Sequence, residues 1–335
     1  MNSKAAGALS LVALFTSCVP YSDFTLPKQS GGPVPRWSLS LSADPVIARG
    51  PSAFDAIDAL NPSIIRRGNL YWNLYSGYDG KVWHTALATS SDGEHWEKKG
   101  SVLSPDPATW EGDYIAANGS VVERNGELLY FYQASRTPQI GLARSSDGTH
   151  WAKYPSPVLP VGPWGSWDER GVADPYVIAT GGKLYLYFLG QDRARRQRLG
   201  VATSSDGVHW EKLRTNPILE LGEAGSFDEL GLGEPAVWAS RGYYWMLFTG
   251  RDKTEHRRMG LAYSMDGVKW TRVAGKPFSG AAEWNRDVVC DATVIEEGGK
   301  IRVWYGGGNK PLPAEGLNGQ IGSSVLELVL DSSPR

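Results

Sequence analysis

The stretch FDELGLGEPAVW, residues 227–238, decides the fold, because it is one copy of a phrase that the chain repeats. FDAIDALNPSII at 54–65 and WDERGVADPYVI at 167–178 are close copies, and WEGDYIAANGSVV at 110–122 and WNRDVVCDATVI at 284–295 are looser ones. Each copy begins with an aromatic residue followed by an acid or amide, and each ends with one polar residue that opens an apolar run. Those polar residues are Asn61, Asn118, Asp174, Glu234 and Asp291, spaced 57, 56, 60 and 57 positions apart. If units of equal length close into a ring, residues of one register converge on its axis.

Working outward, each apolar run is followed by a Gly turn and then an aromatic-rich run such as LYWNLYSG or YWMLFTG. Two such runs about a Gly turn predict a hairpin. A third strand then leads into SSDGEHW, SSDGTHW, SSDGVHW or SMDGVKW, where Asp-Gly suits a tight turn and Trp96, Trp151, Trp210 and Trp270 are expected to pack between sheets. Short fourth strands follow (SVLSP, SPVLP, NPILEL, KPFSG), and the fifth repeat lacks one. The missing piece stands at the other end, where WSLSLSADPVIARG, residues 37–50, matches HWEKLRTNPILELG of the third repeat. The expected fold is therefore all-β, a five-bladed β-propeller with four antiparallel strands per blade, its ring closed by the N-terminal strand completing the last blade. Closure removes exposed sheet edges.

Composition agrees. Among 335 residues, 14 Trp, 15 Tyr and 40 Gly favour strands and tight turns over helices. A formal charge of −2 gives no bulk attraction to nucleic acid or acidic membranes. Lys4, the apolar run 5–15 and the small residues before Cys18 describe a secretory signal of lipoprotein type over 1–17, with Cys18 as the lipidated residue. The expected layout is a flexible tether over 18–36, one propeller domain over 37–330 and a tail over 331–335. The expected product is exported, either as a lipoprotein of the bacterial cell envelope or as a secreted protein, a monomer touching membrane only through a lipid anchor at Cys18. The second cysteine, Cys290, lies in a strand-like run, so neither a disulfide nor a Cys-rich metal site is expected.

Asp174, Glu234 and Asp291 are expected to meet near the axis, with Asn61 and Asn118 completing the ring. Clustered carboxylates repel, so at least one should hold its proton, as acid-assisted cleavage of a glycosidic bond requires. Loops after the second strands add Arg136, Gln191, Arg193 and Arg251, and Trp164 stands outside the repeat as a candidate to stack on a sugar. The arginines following these strands in the third and fourth repeats suit an acidic sugar, or else pair with loop acids. No cofactor is required; hard oxygen ligands among Asp174, Asp291 and the Asn side chains would suit a structural calcium ion in the channel. No dinucleotide fingerprint, phosphate loop or HExxH motif is present.

On the phrases VADPYV and GLGEPAVW the chain resembles the five-bladed propeller glycoside hydrolases, above all family 43, with relatives in families 32, 62, 68, 117 and 130. The resemblance runs from Trp37 to about Leu330. It implies that Glu234 is the general acid, that Asp174 tunes its proton affinity and orients the sugar, and that the anomeric centre is inverted. The blade-one position that would carry the general base is Asn61, and an amide cannot take a proton from water at neutral pH. Asp58, in the same loop, and Asp291, on the blade that meets blade one on closure, are the candidate bases. The expected function is cleavage of a poly- or oligosaccharide; the alternative is a glycan-binding surface lipoprotein without catalysis. SSDGxHW also resembles the Asp-box turn of sialidases, though the remaining sialidase residues have no counterpart here.

Overall fold

The computed structural model of the chain describes residues 20–329. Apart from one 3-10 turn at Ala53–Asp55, every regular element among them is a strand. No helix among these residues is long and apolar enough to cross a membrane. Cys18 and the signal-like segment lie outside the described residues.

Two short strands come first, β1 (Tyr21–Ser22) and β2 (Trp37–Leu39). The first meander is β3 (Asp58–Arg67), β4 (Leu70–Tyr78), β5 (Trp83–Ser90) and β6 (Glu97–Leu103). The second is β7 (Ala116–Arg124), β8 (Glu127–Ala134), β9 (Gln139–Ser145) and β10 (Ala152–Lys153). The third is β11 (Gly171–Thr180), β12 (Lys183–Gln191), β13 (Gln197–Ser204) and β14 (Glu211–Leu213). The fourth is β15 (Gly231–Ser240), β16 (Tyr243–Arg251), β17 (Arg257–Ser264) and β18 (Thr271–Arg272). The last is β19 (Val288–Glu297), β20 (Lys300–Gly308) and β21 (Gln320–Leu328), against which β2 pairs antiparallel, Trp37 opposite Leu328 and Leu39 opposite Leu326. The first strand of each meander packs beside its neighbours': β3 beside β7 and β19, β11 beside β7 and β15, and β15 beside β19.

The fourth strands are shorter than the sequence suggests. In the second to fourth meanders a two- or three-residue strand follows the Trp, and the x-Pro-apolar phrase then makes a single bridge, Leu159 to Ile140, Leu219 to Leu199 and Phe278 to Met259. Proline has no N–H to offer a continuous ladder.

The Asp-Gly turns are self-contained. In the first, the Ser90 hydroxyl accepts the Gly93 N–H at 2.8 Å, and Asp92 Oδ1 accepts the N–H groups of Glu94 and His95 at 2.8 and 2.9 Å. Trp96 Nε1 donates to Gly93 O at 3.0 Å, and its ring meets Trp304 edge-on. Trp210 meets Phe131 and Trp270 meets Tyr187 in the same way. These tryptophans pack as expected, and none lines the central cavity. Gly148 must be glycine: its φ is 74°, and a Cβ there would come 2.2 Å from the Trp72 ring.

One expectation is corrected. The stretch predicted to be a flexible tether is, from residue 20 on, a packed strap across the third and fourth meanders. β1 pairs in parallel with β14, Leu26 is 1 % exposed beside Gly267, and Gln29 N–H donates to Met265 O at 2.8 Å. Tyr244 Oη donates to Pro27 O at 2.8 Å, and Tyr243 Oη to Gly32 O. Pro and Gly composition reads as slack chain, but Phe24 and Leu26 carry enough apolar surface to dock it.

Candidate active site

Each first strand carries a bulge at the register picked out by the sequence. Pairing slips between Leu60 and Ser63, Ala117 and Gly119, Ala173 and Tyr176, Gly233 and Ala236, and Cys290 and Thr293. The residue inside each slip has left-handed backbone: Asn61 φ 51°, Asn118 49°, Asp174 51°, Glu234 52° and Asp291 54°. Asn and Asp visit this region most readily, which accounts for their prevalence; Glu234 is held there against its preference. A bulge re-aims its side chain, and all five residues line one cavity of about 240 Å³.

Contacts run around the ring. Asn118 Nδ2 donates to Asp174 Oδ1 at 2.6 Å and to Gln133 Oε1 at 3.2 Å. The Glu234 N–H donates to Asp174 Oδ2 and the Asp291 N–H to Glu234 Oε2, both at 3.3 Å. Cys290 Sγ donates to Asp291 Oδ2 at 3.1 Å. Burial, then the charge of Glu234, pushes Asp174 up to about 7. Burial, then Glu234, pushes Asp291 well above the carboxylate range, and burial with the charge of Asp291 pushes up the Cys290 thiol, which stays neutral. Asp174 and Asp291 therefore favour the protonated form more than an exposed aspartate does. Buried polar atoms without a protein partner include Asp291 Oδ1, Thr249 Oγ1 and Arg251 Nε, all on residues lining the cavity.

Glu234, Cys290 and Asp291 bring one ligand atom each within 4.8 Å of one another. One thiol and two carboxylates do not make the six to eight oxygens that calcium takes, and this trio is not the set of Asp174, Asp291 and Asn side chains considered from sequence.

The other expected site residues divide. Gln191 and Arg251 line the cavity. Asp58 does not: it is fully buried, its Oδ1 and Oδ2 accepting the N–H groups of Gly319 and Gly316 at 2.7 and 2.6 Å. It is tied into backbone and cannot swing in as a base. Trp164 is 85 % exposed, off the cavity wall, with the Arg193 guanidinium 3.7 Å above its ring. Arg193 grips Glu169 with two hydrogen bonds, and Arg136 pairs with Asp113. Arg196 and Arg198 pair with Asp192, and Arg258 with Asp252. Most of the arginine theme is therefore loop ion pairing.

The second residue of each phrase is structural. Asp55 binds Lys98 and Tyr75, Glu111 binds Lys153, Asp168 binds Lys212, Asp228 binds Arg272, and Asn285 binds Tyr305. The leading aromatics pack within their own meanders, Trp167 tilted against Phe188, Phe227 stacked on Phe248 and Trp284 on Tyr305.

The sequence reading missed Trp83, Tyr114, Gln197, Thr249 and Glu315 on the cavity wall. Glu315 belongs to the loop 309–319, which joins the second and third strands of the last meander and is longer than the loops 79–82, 135–138, 192–196 and 252–256 at that place in the others. Arg257, noted only within an arginine cluster, also lines the cavity and donates to Leu312 O and Pro313 O at 3.1 Å.

The fold is similar to that of solved glycoside hydrolases. Residues 70–224 match the family model "Glycosyl hydrolases family 32 N-terminal domain". Among solved structures, one described as a glycoside hydrolase superposes with a TM-score of 0.70 at 16 % identity, covering 93 % of this chain and 95 % of that one. Zg3597, a family 117 glycoside hydrolase produced by the marine bacterium Zobellia galactanivorans, superposes with a TM-score of 0.64 at 18 % identity over 90 % and 92 % of the two chains. The Uncharacterized protein Rv1502 of Mycobacterium tuberculosis is 26 % identical over 226 residues, 63 % of this chain and 74 % of that protein. The resemblance to the propeller glycoside hydrolases read from the sequence is borne out.

Proposed function

We propose that this chain is a glycoside hydrolase whose Glu234 protonates the departing oxygen of a glycosidic bond. The single observation that carries the reading is the convergence of Asp174, Glu234 and Asp291 on one cavity wall, with Asp174 at about 7 and Asp291 higher still. Asp291 shares a hydrogen bond with Glu234, so a proton held on Asp291 can pass to Glu234, from there to a leaving group, and be recovered from solvent. Asp174 fixes the neighbouring backbone through the Glu234 N–H, and Asn61, Asn118, Gln191 and Gln197 offer amides to sugar hydroxyls.

In this reading the meanders are five blades of a closed propeller. The support is the neighbour order β3, β7, β11, β15, β19 and back to β3, with β2 completing the last sheet. We also infer export with lipidation at Cys18; metabolic labelling with palmitate should mark the wild type and leave Cys18→Ala unlabelled.

The test is a panel of poly- and oligosaccharides and aryl glycosides. Product must appear with wild type, and Glu234→Gln should lower turnover at least ~100-fold while leaving binding intact. Asn61, the amide where the family resemblance expects a base, favours a second reading as a non-catalytic glycan binder. Binding to a glycan with no product from any substrate would select it.

A further inference from the structure

Inverting cleavage needs two carboxyl groups about 6.5–9.5 Å apart, leaving room for sugar and water between them. Glu234 and Asp291 stand too close to supply both. Glu234 and Asp291 bring oxygens within 4.8 Å of each other, and Asp291 shares a hydrogen bond with Glu234. Asp58 is engaged by two backbone amides away from the cavity. Among the described residues, the cavity lining holds four carboxylates: Asp174, Glu234, Asp291 and Glu315.

Glu315 enters from a different quarter. Its loop joins β20 to β21 and brings the carboxylate to the first and second meanders, where Tyr114 Oη donates to Glu315 Oε2 at 3.0 Å and the Tyr78 hydroxyl bonds the same carboxylate. Tyr78 stacks on Trp83, and Trp83 and Tyr114 line the cavity beside Glu315. Asn61, the amide at the expected base position, belongs to that same first meander.

The loop is fastened on both flanks of Glu315. Upstream, Arg257 Nη2 donates to the carbonyls of Leu312 and Pro313, and Arg251 Nη1 to Pro313 O at 3.2 Å. Downstream, Asp58 accepts from Gly316 and Gly319, and the Asn309 N–H donates to Leu317 O at 3.1 Å. Two arginines that could have bound an anion, and an aspartate that could have been a base, instead hold one glutamate in place. Such fixing is what a reacting group requires.

We propose that Glu315 is the catalytic base, the carboxylate that takes a proton from the attacking water; this rests on the acid role of Glu234 proposed above. The water oxygen bonds to the anomeric carbon and its proton passes to Glu315. The glycosidic C–O bond breaks, and the leaving oxygen takes the proton of Glu234. Glu315 ends protonated and Glu234 ionised, and exchange with solvent restores both. Attack from the face opposite the leaving group inverts the anomeric centre. Tyr78 and Tyr114 are positioning residues.

The test compares Glu315→Gln and Glu234→Gln on two glycosides of one sugar turned over by wild type, one with a 2,4-dinitrophenol leaving group and one with an alkyl leaving group. A good leaving group needs little protonation but still needs an activated water. Glu315→Gln should lose at least ~100-fold in kcat/KM on both substrates, together with the acidic limb of the pH profile. Glu234→Gln should lose that much on the alkyl glycoside and far less on the dinitrophenyl one. Tyr114→Phe, which keeps the carboxylate, should lose less than about tenfold, and NMR of the first product should show inverted configuration. Glu315→Gln within threefold of wild type beside an inactive Glu234→Gln overturns the base assignment alone, as does a retained anomer. Full activity of Glu234→Gln on the alkyl glycoside overturns the acid reading itself, and no turnover by wild type overturns both. If Glu315→Gln unfolds, Glu315→Asp is measured instead; wild-type rates on both substrates with an unshifted acidic limb overturn the assignment.

Discussion

The backbone N–H of Asp291 donates to the Glu234 carboxylate at 3.3 Å, so the acids of two neighbouring strands are joined through main chain as well as by charge. The Glu234 N–H does the same toward Asp174 at 3.3 Å. The left-handed backbone at Glu234 and Asp291 turns these amides toward the acid of the preceding first strand. The protons of Asp174 and Asp291 therefore depend on the neighbouring charge and not on each group alone.

From that coupling follows a shift in the rate profile. Asp174→Asn removes one negative charge that opposes ionisation of the remaining acids, so the alkaline limb of kcat/KM should move to lower pH, with a fall in kcat of about 10- to 100-fold. A pH–rate series on one aryl glycoside checks it; an unmoved limb would separate Asp174 from the reacting proton.

The same residue shapes stability. Its folded-state pKa of about 7 lies above the ordinary value of 3.8, so its contribution is fully present below 3.8 and is lost as pH rises through 7. Wild type should therefore lose Tm between about pH 4 and pH 7, and Asp174→Asn should lose less over the same interval. Calorimetry at several pH values measures the difference. At the acid end the sign reverses: the carboxylates of Asp92, Asp147 and Asp206, held low by hydrogen bonds within the Asp-Gly turns, lose their contribution as pH falls.

Asp58→Ala leaves the N–H groups of Gly316 and Gly319 without their acceptor, at about 1–3 kcal/mol for the buried Gly319 amide and less for the part-buried Gly316. Tm should fall by several degrees, and turnover should fall with it because the loop carrying Glu315 loosens. Hydrogen exchange should show the loss of protection confined to residues 309–319. Normal exchange there would mean the loop does not depend on Asp58.

Leu26→Ala tests whether the strap is part of the folded unit. Leu26 is 1 % exposed and packs in the core shared by the third and fourth meanders, so truncation should cost about 2–5 kcal/mol. Denaturant unfolding reads that cost, and limited proteolysis should cut the variant near residue 26 while sparing wild type. A flexible tether would show neither effect.

The sequence by itself determined the strand grammar, the Asp-Gly turns with their packing tryptophans, the splice of residues 37–50 to the last meander, and the register of Asn61, Asn118, Asp174, Glu234 and Asp291. These were legible because they repeat: a pattern written several times can be aligned with itself, and side-chain periodicity and turn chemistry are local properties. What does not repeat was decided by tertiary structure alone. Asp58 reads as a reactive acid until two amides from residues 316 and 319 are seen to occupy it, and Arg251 and Arg257 read as an anion site until the carbonyls of 312 and 313 are seen to take them. Glu315 has no repeat partner and shares the cavity with Glu234 only because its loop is carried from the last meander to the first two. A side chain's type is fixed by its codon, but whether its charge is free depends on which distant backbone groups the folded chain brings against it.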